Sequence, residues 1–220
     1  LVALREGDIF SRKRVSETTS ALVGRLGQDG YAFANVNSAP DIDNAAKKVK
    51  LTFFIDPGKR VYVRRIAFKG NSRTRDEVLR REMRQIEGAW IDTSKVERSK
   101  TRLQRLGYFT EVTVATPAVA GTQDQVDLDI TVEEQPSGNF LAGVGFSQSQ
   151  GIVLNSELSQ DNFFGTGNRV SFSFNNSDVN RSYGIGFLNP YWSDDGVSLG
   201  FDASYRESDA EDANLSSYTI

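Results

Sequence analysis

Neither cysteine nor histidine occurs anywhere in the 220 residues. That double absence excludes cysteine nucleophiles, Ser/His/Asp triads, Cys/His zinc sites and disulfides together. A chain without thiols suits an oxidising compartment, where stray thiols are a liability. Long apolar runs are lacking too. No stretch nears the roughly 20 consecutive apolar residues of a membrane-spanning helix, so a membrane role would fall to β-strands. Lysine stops at Lys100. Up to Gln135, 23 Lys and Arg stand against 19 Asp and Glu, whereas from Pro136 onward 3 stand against 10. Such asymmetry points to two environments on one chain, and the Lys-free, aromatic-rich second half does not look like a nucleic-acid surface.

The glycine pairs Gly143/Gly145, Gly165/Gly167 and Gly184/Gly186 lack the spacing of a dinucleotide loop and read as backbone flexibility. Asp127 and Asp129 share one strand face, and Asp209, Glu211 and Asp212 form an acidic loop; solvation is the default reading for both. No catalytic residue, metal site or cofactor is expected. The chain opens without Met or a secretory signal, in what reads as the end of a helix, so a fragment of a longer protein is expected.

What is present begins with a repeat. Gly30-Tyr31 matches Gly107-Tyr108, and Leu51, Phe53 and Ile55 match Leu128, Ile130 and Val132, all at an offset of 77. Upstream, Glu6-Gly7 matches Glu87-Gly88 and Val15 matches Val96 at an offset of 81. The shift is about one helical turn. The second copy predicts a strand over 61–69 with a bulge at Arg64-Arg65. A helix follows, opened by a Thr74/Glu77 capping box, striped by Val78, Leu79, Met83 and Ile86, and ended by Gly88. A second helix, capped by Ser94 with Glu97 and striped by Val96, Leu103 and Leu106, precedes strands over 109–116 and 126–134. The first copy lacks the first strand and most of the first helix, which are expected upstream.

That β-α-α-β-β order, with Gly70-Asn71 after the first strand and Gly107-Tyr108 after the second helix, resembles the POTRA module of Omp85 proteins. The resemblance implies that the last strand is central and that 109–116 is a sheet edge. Glu111, Val112, Thr113 and Val114 could there accept an extended peptide by β-augmentation; a merely short, protected edge is the alternative.

After Pro136 the period becomes two. Phe140, Ala142, Val144 and Phe146 alternate with Leu141, Gly143, Gly145 and Ser147, and four further segments follow, centred on Leu154, Phe172, Ile185 and Phe201. Five segments of barrel-strand length, apolar on one face and small or polar on the other, fit a transmembrane barrel that meets lipid, though too few to close one. A soluble sandwich gives the same alternation. Aromatics near segment ends, Phe163-Phe164 and Tyr191-Trp192, favour the barrel. The turn sequences Gln160–Gly167, Asn189-Pro190-Tyr191-Trp192 and 195–200, with 78–85 and 87–90, are similar to those of Omp85 assembly proteins over essentially the whole chain. The expected fold is therefore α+β POTRA modules followed by the N-terminal antiparallel strands of a transmembrane β-barrel: an incomplete module over 1–60, a complete one over 61–136, and the first five or so barrel strands over 137–220.

The resemblance implies a component of the outer-membrane machinery that folds and inserts β-barrel proteins, with its modules in the periplasm of a Gram-negative bacterium. Its first barrel strand, Asn139, Phe140, Leu141, Ala142, Gly143, Val144, Gly145 and Phe146, would be a lateral gate that templates client strands; the glycines would weaken the pairing, or alternatively relieve crowding. Arg80, Arg84 and Glu87 would dock a partner lipoprotein, unless they form a plain solvated helix face. Implied partners are the lipoproteins of the assembly complex, unfolded outer-membrane clients and the lipid bilayer, with no nucleic acid. Alternatives are a sister Omp85 transporter secreting a dedicated passenger, and a structural anchor.

Overall fold

In the computed structural model, which describes residues 2, 4–193, 195–210 and 213–219, the repeat register carries straight into the elements. The first copy supplies helix α1 (Arg12–Gln28) and the antiparallel pair β1 (Asn35–Asp43) and β2 (Lys48–Asp56). The second supplies β3 (Tyr62–Lys69), α2 (Asp76–Arg80), α3 (Thr93–Arg105), β4 (Phe109–Ala115) and β5 (Gln125–Glu134). The sheet order is β3-β5-β4, so β5 is central and β4 an edge. Val126, Leu128, Ile130 and Val132 of β5 are buried, which is what alternation in a strand with neighbours on both sides requires. β3 runs parallel to β5, and the expected bulge is present as a register shift between Val63 and Arg65.

Two helix readings are corrected. α2 has five residues and does not reach Gly88. The chain leaves it because tertiary bonds satisfy the next backbone groups. Gln85 is buried, donates to the carbonyls of Ile86 and Trp90 and accepts from the Asp92 N–H. The Arg84 N–H donates to Ser99 Oγ at 2.8 Å, and buried Glu82 pairs with Arg102 at 2.7 Å. Gly88 to Ile91 then bond to β3, through Gly88 N–H to Val63 O, Val63 N–H to Ala89 O and Ile91 N–H to Val61 O. Neither expected capping box forms. Asp92, not Ser94, caps α3 by accepting from the Ser94 and Lys95 N–H groups. Burial pushes the Asp92 carboxyl up, but these bonds and the Ser94 hydroxyl outweigh it and hold its pKa below the ordinary range. Thr74 is engaged elsewhere, as described below.

The second half is one antiparallel sheet in order β11-β10-β9-β8-β7-β6. Its strands are β6 (Gly138–Ser147), β7 (Gly151–Phe163), β8 (Asn168–Asn176), β9 (Asn180–Asn189), β10 (Leu199–Ala210) and β11 (Ala213–Thr219). The sixth strand was not expected: β10 continues through Asp209, where an acidic loop was anticipated, while Glu211 and Asp212 lie outside the described residues. Register puts Phe140 opposite Leu158, Leu158 opposite Phe172, Phe172 opposite Ile185 and Ile185 opposite Ala203 on one face. Gly143, Asn155, Asn175, Ser182 and Arg206 line up on the other. Among the described residues no second sheet covers the apolar face, and Phe140, Val144 and Phe146 are 70%, 76% and 78% exposed. A sandwich would bury such a face, whereas a barrel wall turns it to lipid.

The described residues form two compact units. One comprises Leu1–Gly70, Arg81–Leu106 and Glu111–Val132; the other comprises Asn71–Arg80, Gly107–Thr110 and Glu133–Ile220. The second unit thus includes α2 and its preceding loop along with the barrel strands.

Candidate functional site

Within the second unit, the end of β5 leads into β6 through only Gln135, Pro136 and Ser137. Glu134 anchors this passage. Its carboxylate accepts from Ser72 Oγ at 2.9 Å, from the Arg73 N–H at 3.0 Å and from the Thr74 N–H at 2.7 Å. Burial raises the Glu134 pKa, yet the bonds from Thr74, Arg73 and Ser72 prevail and hold it below the ordinary glutamate range. The Gln135 N–H donates to Tyr108 O, and the Gln135 amide to Gly107 O, both at 2.9 Å.

The same 73–75 loop meets the β7–β8 turn. Thr74 Oγ1 accepts from Asn162 Nδ2 at 2.8 Å, and the Arg75 N–H donates to Gly165 O at 3.0 Å. Gly165 has φ +72°, and a methyl group there would run into the Arg73 carbonyl. Asn162, itself at φ 52°, also accepts from the Gly167 N–H at 2.9 Å, while Tyr108 Oη donates to Gly167 O at 3.3 Å. These residues enclose an open groove of about 660 Å³, into which the turn presents Phe164, 81% exposed. Asp161 and Arg169 brace the turn as a side-chain ion pair.

β6, carrying Asn139 to Phe146, the residues expected to form a lateral gate, pairs with β7 along its whole length. Its start is pinned: Ser137 Oγ donates to Asp161 O at 2.6 Å and Gln160 Nε2 to Ser137 Oγ at 3.0 Å. The two glycines differ. A Cβ on Gly143 would meet the Asn155 amide oxygen, whereas one on Gly145 would meet nothing within 4 Å. Among the described residues, crowding is met at Gly143, from the end of the Asn155 side chain, and not at Gly145. On the apolar face, Phe174, Tyr183, Tyr205 and Tyr218 form a row with ring centroids 5.4, 6.4 and 5.0 Å apart, far along the strands from Phe163 and Phe164. The sequence reading missed this row because its members lie one per strand.

The three residues expected to dock a lipoprotein are not one helix face. Arg80 ends α2 and pairs with Asp76 at 3.1 Å; Arg84 and Glu87 follow the helix. Glu87 accepts the Ile66 N–H at 2.8 Å, just past the β3 bulge. Glu111, Val112, Thr113 and Val114 lie on β4 as expected, with Val112 buried inward. Asp127 is not merely solvated: Arg64 grips it with two bonds, at 2.8 and 2.5 Å, and this hydrogen bonding lowers the Asp127 pKa. Asp129 pairs with Lys69 at 2.8 Å.

A β-α-α-β-β module running without pause into barrel strands defines the class: POTRA domains joined to an outer-membrane barrel. The POTRA family model (surface antigen variable number repeat) matches residues 1–58 and 61–135, and the Omp85 superfamily domain matches residues 162–220. The chain belongs to the Omp85 superfamily. The outer membrane protein assembly factor BamA of Neisseria meningitidis serogroup B is 37% identical over 216 residues, 98% of this chain and 27% of that protein. The crystal structure of BamA from Haemophilus ducreyi lacking POTRA domains 1-3 superposes with a TM-score of 0.88 at 34% identity, over 98% of this chain and 42% of that one. CdiB from Escherichia coli, at 16% identity and a TM-score of 0.51 over 94% of this chain and 38% of that one, shares the fold alone. The chain thus spans about a quarter of the length of the Neisseria relative.

Proposed function

We propose that this chain is the junction of an outer-membrane protein assembly factor, which folds and inserts β-barrel proteins by templating their strands on β6 when that strand parts from the last barrel strand. The observation that carries the reading is the junction itself: β5 passes into the first barrel strand, β6, through only Gln135, Pro136 and Ser137, and β6 carries Gly143 and Gly145, which weaken a strand's pairing. An unpaired edge offers backbone donors and acceptors to any incoming strand irrespective of sequence. The relatives named as outer membrane protein assembly factors support this reading. The protein acts in the outer membrane of a Gram-negative bacterium, with the POTRA modules in the periplasm, and needs no catalytic residue or cofactor. Arg80, Arg84 and Glu87 dock an accessory lipoprotein. Unfolded clients add to β4 at Glu111–Val114, an edge with no strand partner among the described residues, while the outer edge of β3 is taken by Gly88–Ile91 and Glu87.

The test is a set of cysteine pairs that lock β6 to the last barrel strand in the full-length protein. Oxidised cells should accumulate unfolded client barrels, read as loss of heat-modifiable gel mobility, and reduction should restore them. Normal client assembly in the locked protein would sink the gate.

A further inference from the structure

We propose that the groove at the root of β6 holds a phospholipid of the periplasmic leaflet, with its phosphate at Arg73 and its acyl chains along the outer wall of the sheet. Such a site lies outside strand templating and would persist whether or not β6 parts from the last strand. The groove opens onto the lipid-facing side. Two of its lining residues, Gly138 and Gln160, stand opposite each other in the row Gly138, Gln160, Val170, Phe187 and Phe201. That row shares the apolar face of Phe140, two residues further along β6. Phe187 and Phe201 stack in it with ring centroids 5.4 Å apart. Because the chain enters β6 from the POTRA module, this end of the sheet meets the periplasmic leaflet.

Folding does not explain Phe164. Four residues of the β7–β8 turn, Asn162, Phe164, Gly165 and Gly167, have positive φ. Glycine takes that region freely, and Asn162 is held in it by its bonds to Thr74 and Gly167. Phe164 sits at φ 51°, where a bulky side chain is strained, and is still 81% exposed although its ring meets Phe163. An aromatic both strained and uncovered gains nothing in water, whereas among acyl chains its surface is buried. The loop against this turn sets the polar half of the ligand. Arg75 gives its N–H to Gly165 O, and the exposed side chains of Arg73 and Arg75 make no ion pair with a described residue. Glu134, the only acid lining the groove, is spent on Ser72, Arg73 and Thr74. A client strand would find little backbone here, since the N–H groups of Arg73, Thr74, Arg75, Gln135 and Asp161 are already bonded. Unmatched cations beside an uncovered aromatic, at the end of a lipid-facing wall, match a phosphate joined to acyl chains.

The test places the photo-crosslinker p-benzoylphenylalanine at Phe164 in the full-length protein, in living cells and then in detergent with dioleoyl phosphatidylethanolamine as probe. Irradiation should attach a phospholipid to the peptide that carries position 164, read by mass spectrometry. Arg73→Gln with Arg75→Gln should cut that yield by about fivefold or more, whereas Lys48→Gln with Lys50→Gln, two exposed lysines of β2, should change it by less than about twofold. The same crosslinker at Trp192, exposed on the other periplasmic turn, should take lipid equally in all three backgrounds. Dioleoylglycerol, with the same tails and no phosphate, should be captured at position 164 about fivefold less than the phospholipid. Glycerophosphoethanolamine, the headgroup without tails, should not compete. Capture at position 164 that ignores the arginines would reduce Phe164 to plain bilayer contact and overturn the proposal. Equal capture of dioleoylglycerol, competition by the free headgroup, or a protein adduct in place of lipid would overturn it too. Phe164→Asn gives a readout without the crosslinker. Asparagine suits the positive φ, so the variant should fold, yet added phosphatidylethanolamine should raise its thermal midpoint less than that of wild type. Equal rises would count against the lipid site.

Discussion

The Thr74 hydroxyl accepts a hydrogen bond from the Asn162 amide at 2.8 Å, although 88 residues separate the two in sequence. Thr74 also gives its N–H to Glu134 at the end of β5. One residue thus ties the POTRA loop at once to the strand entering the barrel and to the β7–β8 turn. The two tethers differ in kind, one a charge-assisted bond to a carboxylate and the other neutral, so they can be cut separately.

Cutting the neutral tether comes first. Thr74→Val should destabilise the second unit by about 1 kcal/mol and Asn162→Ala by more, since it also loses the Gly167 N–H bond at a positive φ, and the double variant should fall clearly short of the sum, because both changes remove the Thr74–Asn162 bond. Amide exchange at Arg75, whose N–H goes to Gly165 O, should accelerate in all three. Additive effects would mean that the bond carries no coupling.

Cutting the charged tether gives a pH signature. The Glu134 pKa is depressed in the folded chain, so its contribution is full above the unfolded glutamate value, about 4.3, and is lost as pH falls through the folded value. Glu134→Gln should therefore lower stability at pH 7, and the difference from wild type should shrink steadily below about pH 4. Urea midpoints measured at both ends of that range check it. A difference independent of pH would assign the effect to packing instead of charge.

The turn side of the contact depends on a missing side chain. Gly165→Ala adds a methyl group against the Arg73 carbonyl at a positive φ, and should cost on the order of 2 kcal/mol. Gly145→Ala, which meets open space, should cost only a few tenths or even stabilise. Thermal unfolding in the same detergent compares the two directly.

These contacts mark the limit of what the sequence discloses. Period-two alternation reveals the lipid face from Phe140 to Tyr205 because a strand places its residues by local geometry alone. β11 escapes notice since Leu215 and Tyr218 fall on opposite faces, opposite Ser208 and Tyr205. The stripe Val78, Leu79, Met83, Ile86 reads as a helix, but Ile86 is 66% exposed and polar Gln85 is buried, holding the backbone out of the helix. No local pattern announces that a glutamine will be an internal anchor. Glu87 looks like a surface charge for the same reason: its bond to Ile66 exists only once β3 has bulged.

Glu87 supplies the sharpest discrimination between docking and architecture. Its carboxylate oxygen accepts the Ile66 N–H, a role that an amide oxygen can fill without charge. Glu87→Gln should retain the bond and the β3 bulge, whereas Glu87→Lys removes the acceptor and places a cation near Arg64 and Arg65. Amide exchange at Ile66 should therefore stay slow in the glutamine variant and rise in the lysine variant. Lipoprotein recovery from solubilised membranes should follow the same order, near wild type with glutamine and strongly reduced with lysine. If glutamine abolishes recovery while Ile66 stays protected, Glu87 acts through a direct charge pair with the partner. If recovery survives lysine although Ile66 is exposed, neither the bulge nor the charge takes part in docking.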